Sequence, residues 1–164
     1  MVIEVDTREK PRAIKSILET FDTVGVKHIS TKLYVGDYRT LENPRLIIDR
    51  KQNIGELAQN ATSGHDRFKR ELMRLDDIGG EMVILVEQNR YKDVSGRIVT
   101  VREIADLMGW KNPHGTVDGV TVFRVLSAWE HKHKVRFDFC CKSETGRRVL
   151  EILSDGKQRL DQTQ

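Results

Sequence analysis

Apolar residues change their spacing several times along this chain, and each change marks a predicted element. Residues 2–5 form a short apolar run closing on Asp6, the pattern of a strand. Over 11–21, Ile14, Ile17, Leu18 and Phe21 recur at helical spacing, with Pro11 in the first turn, where no backbone N–H is missed. Gly25 ends that helix, and 26–30 reads as a strand. Residues 32–39 alternate, with Leu33, Val35 and Asp37 on one side and Tyr34, Gly36 and Tyr38 on the other. Glu42, Asn43 and Pro44 supply a turn, and 46–51 returns, so 32–39 and 46–51 are expected to form an antiparallel hairpin.

The remainder alternates between helix and strand. Residues 54–60 predict a short helix and 65–78 a stronger one, with Phe68, Leu72, Leu75 and Ile78 as its stripe and Gly79-Gly80 as its stop. The continuous apolar run over 82–87 suits a strand buried on both faces. Residues 88–100 are expected as a mobile loop, with Thr100 capping a helix that carries Val101, Ile104, Leu107 and Met108. A helix over 119–132, a strand over 135–140 and a helix over 145–153 complete the pattern. It predicts an α/β domain with a mixed central sheet and helices on both faces. We expect one domain over 1–154 and a polar, disordered tail over 155–164.

Composition narrows this modestly. Charged residues make up 32% of the 164, and the net charge of +3 is too small by itself to establish a nucleic-acid partner. The cysteines, Cys140 and Cys141, are adjacent and offer no disulfide framework, which points to a reducing, intracellular compartment. Acids near the N-terminus argue against a signal peptide, and no run approaches membrane-span length. His131 and His133, two apart on a helix, do not share a face, and the Cys pair lacks zinc-ligand spacing.

Candidate chemistry gathers on the expected hairpin. Asp49 and Lys51 are two apart on a strand and point the same way, while Arg50 points the other; Asp37 on the neighbouring strand can meet Asp49. Two carboxylates and a lysine suit phosphodiester hydrolysis. Mg²⁺ or Mn²⁺ takes carboxylate and water oxygens and polarises a phosphate. Lys51 has three open roles: orienting the attacking water, deprotonating it, or offsetting charge that develops on phosphorus.

An Asp followed by acid–x–Lys resembles the restriction-endonuclease-like nucleases. More closely, the chain resembles the nuclease domain of the XPF family of structure-specific endonucleases. Gly36-Asp37 and Asp49-Arg50-Lys51 match that family's Gly-Asp and Glu-Arg-Lys motifs, with Asp replacing Glu. Asp6, Arg8 and Glu9 match its opening Asp-x-Arg-Glu, Arg67-Phe68 its helical Arg, and Glu87 the end of a later strand. The correspondence is weaker at Thr145. The resemblance implies a metal-dependent endonuclease acting on branched, flapped or junction DNA in repair or recombination. It implies Asp37, Asp49 and Lys51 as catalytic residues, Asp37 and Asp49 as metal ligands, and Asp6 and Glu56 as supporting acids. The family's last motif Asp falls on Gly55, one position before Glu56. The chain ends before a helix-hairpin-helix module could begin, as in compact forms from phages and mobile elements.

DNA phosphate contacts are expected from Arg67, Lys69 and Arg70, with Arg8 and Arg50. For the 65–78 helix the alternative is a solvated face with internal ion pairs. A homodimer is expected through Phe123, Leu126 and Trp129 together with Val149, Leu150, Ile152 and Leu153. The rival functions are a catalytically degenerate DNA-binding or partner-binding subunit, and a junction resolvase or restriction-type nuclease.

Overall fold

In a computed structural model, residues 1–161 are described, with side chains described for 1–156. Six strands form the central sheet in the order β2-β1-β3-β4-β5-β8. They are β1 (Val2–Asp6), β2 (Lys27–Thr31), β3 (Tyr38–Thr40), β4 (Leu46–Lys51), β5 (Glu81–Val86) and β8 (Val135–Phe139). β1 runs parallel to β2, and β4, β5 and β8 run parallel to one another. β3 is antiparallel to both β1 and β4, so the other five strands point one way. Both faces carry helices, as the alternation predicts.

The central strands sort their side chains with period two. Ile47 of β4 and Met82, Ile84 and Val86 of β5 pack towards α2 (Ile54–Ala61), α3 (His65–Asp77) and α4 (Gly119–Lys132). Leu46, Ile48, Val83 and Leu85 pack the other way, among residues of α1 (Pro11–Thr23) and α5 (Thr145–Asp161). The same alternation carries on past Ile48. Asp49 and Lys51 therefore fall on the α2–α3 face, and Arg50 on the α1 face.

Several expectations change. The expected strand over 32–39 is a strand only at Tyr38–Thr40. The chain before it is irregular because its backbone N–H groups are held by acids rather than by a ladder. Leu33 N–H donates to Asp6 Oδ2 at 2.7 Å and Gly36 N–H to Glu71 Oε1 at 3.3 Å. Gly36 has φ +70°, and a Cβ there would run into the Ile47 side chain, so this turn needs glycine. The expected loop over 88–100 contains a hairpin of β6 (Arg90–Lys92) and β7 (Ile98–Thr100), closed by Asp93 accepting from Ser95 and Arg97 N–H. Thr100 ends that strand and caps nothing; the following segment, Ile104–Gly109, is a 3-10 helix with a Glu103/Asp106 capping box. The last helix runs on from Leu153 to Asp161, and 162–164 lie outside the described residues.

The apolar residues assigned to a dimer contact are core. Leu126, Trp129, Val149, Ile152 and Leu153 are each at most 5% exposed, and Phe123 and Leu150 pack against the same clusters. These residues cover the sheet and are not an apolar excess left for a partner. Among the described residues no helix is long and apolar enough to cross a membrane.

Candidate active site

The C-terminal end of β4 gathers the charged residues. Asp49 and Lys51 are buried at 3% and 6% exposure, and Lys51 Nζ lies 2.6 Å from Asp49 Oδ2. That contact is a buried ion pair, and Lys51 is the one close partner of Asp49 Oδ2 among the described residues. The ammonium also sits 5.1 Å from the centroid of the Phe68 ring on α3, which screens it from solvent. Asp37 enters from the glycine turn. Its N–H donates to Ile48 O at 2.8 Å, and its Oδ2 accepts from Arg50 N–H at 2.7 Å. The two aspartates thus meet across β3 and β4, through a turn rather than the regular alternation expected.

Electrostatics set this pocket apart. Burial, then the charges of Asp49 and Glu9, hold the Asp37 carboxyl well above the usual carboxylate range. Burial also pushes Asp49 up to about 6; Lys51 pulls it down, while Glu71 and Glu56 push it further up. Burial opposes a charged Lys51, but Asp49, Asp37 and Glu71 outweigh it and raise its pKa. Negative charge is in excess here, and one buried ammonium does not balance it.

Other expected site residues stand in different settings. Asp6 is saturated: Arg8 Nε donates at 2.6 Å, Arg8 Nη2 at 2.9 Å, and the N–H groups of Arg8 and Leu33 each at 2.7 Å. Arg50, expected at the DNA backbone, is enclosed at 6% exposure and donates to Glu9 Oε2 at 2.7 Å and Glu87 Oε2 at 2.9 Å. Tyr38 O–H donates to the same Glu9 oxygen at 3.1 Å. Glu56 accepts from Gln52 N–H at 2.8 Å beside the Asn53 cap of α2. Arg67, Lys69 and Arg70 are exposed on α3. Glu71 was not among the expected site residues. It lies three residues after Phe68 and so on the same helix face, a spacing that the sequence already contained.

Among the described residues, no cluster of three or more His, Cys, Asp or Glu is arranged to hold a metal. The donors present still fit a hard divalent cation. Asp37 and Asp49 offer buried carboxylate oxygens, one of them met only by Lys51, and Mg²⁺ is bound through one or two carboxylates while keeping several waters.

The ERCC4 domain profile matches residues 5–143, and the chain belongs to this family. XPF from Aeropyrum pernix matches with a TM-score of 0.67 at 20% identity, over 99% of this chain and 68% of that one. A second structure, XPF from Aeropyrum pernix in complex with DNA, matches at 0.65 and 19%, over 96% and 66%. The chain therefore spans about two thirds of those chains, and at such identities the likeness shows the fold. No curated protein gave a match.

Proposed function

We propose that this chain is a metal-dependent DNA endonuclease that hydrolyses phosphodiester bonds in branched or flapped DNA. The observation that carries the reading is the buried, under-compensated pair Asp37 and Asp49 beside Lys51. Those two aspartates are assigned as the residues holding Mg²⁺ or Mn²⁺. Such a cation supplies Lewis-acid charge to a phosphodiester and acidifies water. Lys51, charged at neutral pH, offsets negative charge developing on the phosphate and orients the attacking water. Phe68 keeps solvent off that ammonium. Glu71 fixes the Gly36 turn and thereby the position of Asp37. Asp6 is assigned to anchoring Arg8 and Leu33, and Arg50 to the ion-pair network beneath, since neither has a free direction towards metal or DNA. Arg67 and Arg70 are assigned to backbone phosphate.

Gly55, standing where the family's last motif Asp falls, favours a second reading, a non-cleaving DNA-binding subunit. Against it stands Glu56, close enough to act on Asp49. Nicking of supercoiled plasmid separates the readings. Mg²⁺-dependent nicking that EDTA stops and Asp49→Asn abolishes is expected; binding without nicking in Mg²⁺ or Mn²⁺ establishes the subunit. A panel of flap, fork and linear duplexes then reads substrate geometry, and preference for linear duplex removes the branched-DNA assignment. Two copies would double the phosphate-contacting surface, so a homodimer is part of the proposal, through a surface other than the buried apolar residues of α4 and α5. A monomer mass by light scattering would remove it.

A further inference from the structure

Beside the catalytic strand lies a second, differently built recess. A cavity of about 350 Å³ opens between α3 and α4, lined by Lys69 of α3, Arg124 and Lys132 of α4, and His65 and His133, with Trp129 as its floor. Trp129 is 5% exposed, stacks on the His65 ring at 6.0 Å between centroids, and lies 4.7 Å from the Phe68 ring. Phe68 thus packs behind the Trp129 floor on one side and carries the Lys51 ammonium on the other. Two buried rings, Trp129 and Phe68, stand between the recess and Lys51.

Charge here runs opposite to that at Asp49. Lys69, Arg124 and Lys132 are exposed, and none forms an ion pair among the described residues. Arg124 exerts only a through-space pull on Asp118. The nearby acids are engaged at the edges: Asp76 with His133 at 2.8 Å, and Asp66 with His65 at 3.7 Å. Elsewhere some surface arginines have a carboxylate, as Arg147 has Glu151 and Arg148 has Asp138. Three cations facing one recess repel each other and lower stability, unless an anion joins them. Arg124 and Lys132 are eight residues apart, so their Cα atoms are separated by about 12 Å along α4. That exceeds the axial rise between successive phosphates of one duplex strand, about 3.4 Å, so the two cations can meet different phosphates.

We infer that the α3–α4 recess is a second contact for duplex DNA, gripping backbone phosphates through Lys69, Arg124 and Lys132. The inference rests on the DNA reading above and extends it to the opposite side of Phe68. A strand seated there continues over the Lys51 side, so the recess sets where along the strand the scissile phosphate falls. Trp129 is packed too deeply to stack on a base, so the grip carries no sequence information.

The test is fluorescence anisotropy with a labelled 20-base-pair linear duplex in EDTA, titrated at several salt concentrations. Arg124→Ala/Lys132→Ala should weaken binding roughly tenfold or more and reduce the salt slope by about 2, alike for two unrelated sequences. Lys27→Ala/Arg45→Ala is the control. It removes equal charge from exposed positions outside the recess, before β4 and at the start of β2, and should leave the slope unchanged. Equal slopes for the recess variant and the unaltered protein overturn the inference, as does equal loss in the control. No measurable binding by the unaltered protein also overturns it, and so does a slope change confined to duplex RNA. Nicking is scored separately. A protein that does not nick but whose slope flattens keeps the recess and loses the endonuclease reading; nicking with an unchanged slope does the reverse.

Discussion

The two faces of β4 at its C-terminal end use buried charge in opposite ways. On the α1 face, Arg50 is shared by Glu9 and Glu87, and Tyr38 donates to Glu9, so each buried group has a partner. On the α2–α3 face, Lys51 alone meets Asp49 Oδ2 among the described residues, while the buried Asp37 and Asp49 carboxyls act against each other. Backbone and depth are nearly the same, so the difference comes from the groups that meet each face and not from strand position. A satisfied network fixes structure. An unsatisfied one raises the free energy of the resting fold and lowers it again when a cation arrives. The first face is a support, and the second is the one proposed for chemistry.

Replacing the charge on the unsatisfied face should have the largest effect. Asp49→Asn is expected to lower nicking on the order of 10³-fold or more, the loss of charge stabilisation combined with positioning of the nucleophile. Its melting temperature should stay within a few degrees, because the amide keeps the shape and burial already disfavours the Asp49 charge. Asp37 and Glu71 still act on Lys51 in that variant. A folded Asp49→Asn protein nicking at near the unaltered rate would reverse the assignment of the two faces.

The satisfied face should answer the other way. Arg50→Ala strands Glu9 and Glu87 in the interior, which costs about 3–5 kcal/mol. For a domain of this size that lowers the melting temperature by roughly 10 °C. DNA affinity of the protein that remains folded should be unchanged, since Arg50 is not at the surface. Lost affinity with a steady melting temperature would return Arg50 to the DNA interface.

Much of this contrast was legible beforehand. Strand alternation alone put Asp49 and Lys51 on one side and Arg50 on the other, and the helical stripe of α3 was readable from Phe68, Leu72 and Leu75. The chain from 32 to 37 was not. Its Leu33, Val35 and Asp37 alternate as a strand would, and only the acids of Asp6 and Glu71, distant in sequence, pull its N–H groups out of the ladder. Arg50 was misplaced for a related reason: an arginine in a catalytic triplet looks like a phosphate contact until Glu9 and Glu87 come up beneath it. The apolar residues of α4 and α5 looked surplus because a sequence does not show how much sheet they must cover.

Lys51 sharpens the comparison at a smaller scale. Lys51→Ala should slow nicking on the order of 10²-fold, the size of losing one positioned charge or base. Mn²⁺ binding measured by calorimetry in the absence of DNA should persist, because Asp37 and Asp49 remain. Loss of the cation together with the rate would make the ammonium part of the holding set rather than a partner of the phosphate.

The smallest effect lies at the rim, where the two kinds of charge meet. Arg8 lies close enough to Asp37 and Glu71 for both to raise its pKa, yet its hydrogen bonds go to Asp6. Burial pushes the Asp6 carboxyl up, but the side chain and backbone of Arg8 and the N–H of Leu33 outweigh this and hold it below its ordinary 3.8. A carboxyl depressed in the folded state stabilises above its unfolded pKa, and that stability is lost as pH falls through the folded value. The Arg8 side chain is 54% exposed, so solvent screens the pair, and Arg8→Ala should cost about 1 kcal/mol near neutrality. Asp6 keeps both backbone donors in that variant, so the loop from Leu33 should hold. Thermal melts from pH 7 to pH 3 should therefore show a gap of a few degrees at neutrality that closes below about pH 4. A gap that stays constant over this range would mean that Arg8 acts through packing and not through the Asp6 charge, and would move the boundary between the two regions to Asp37.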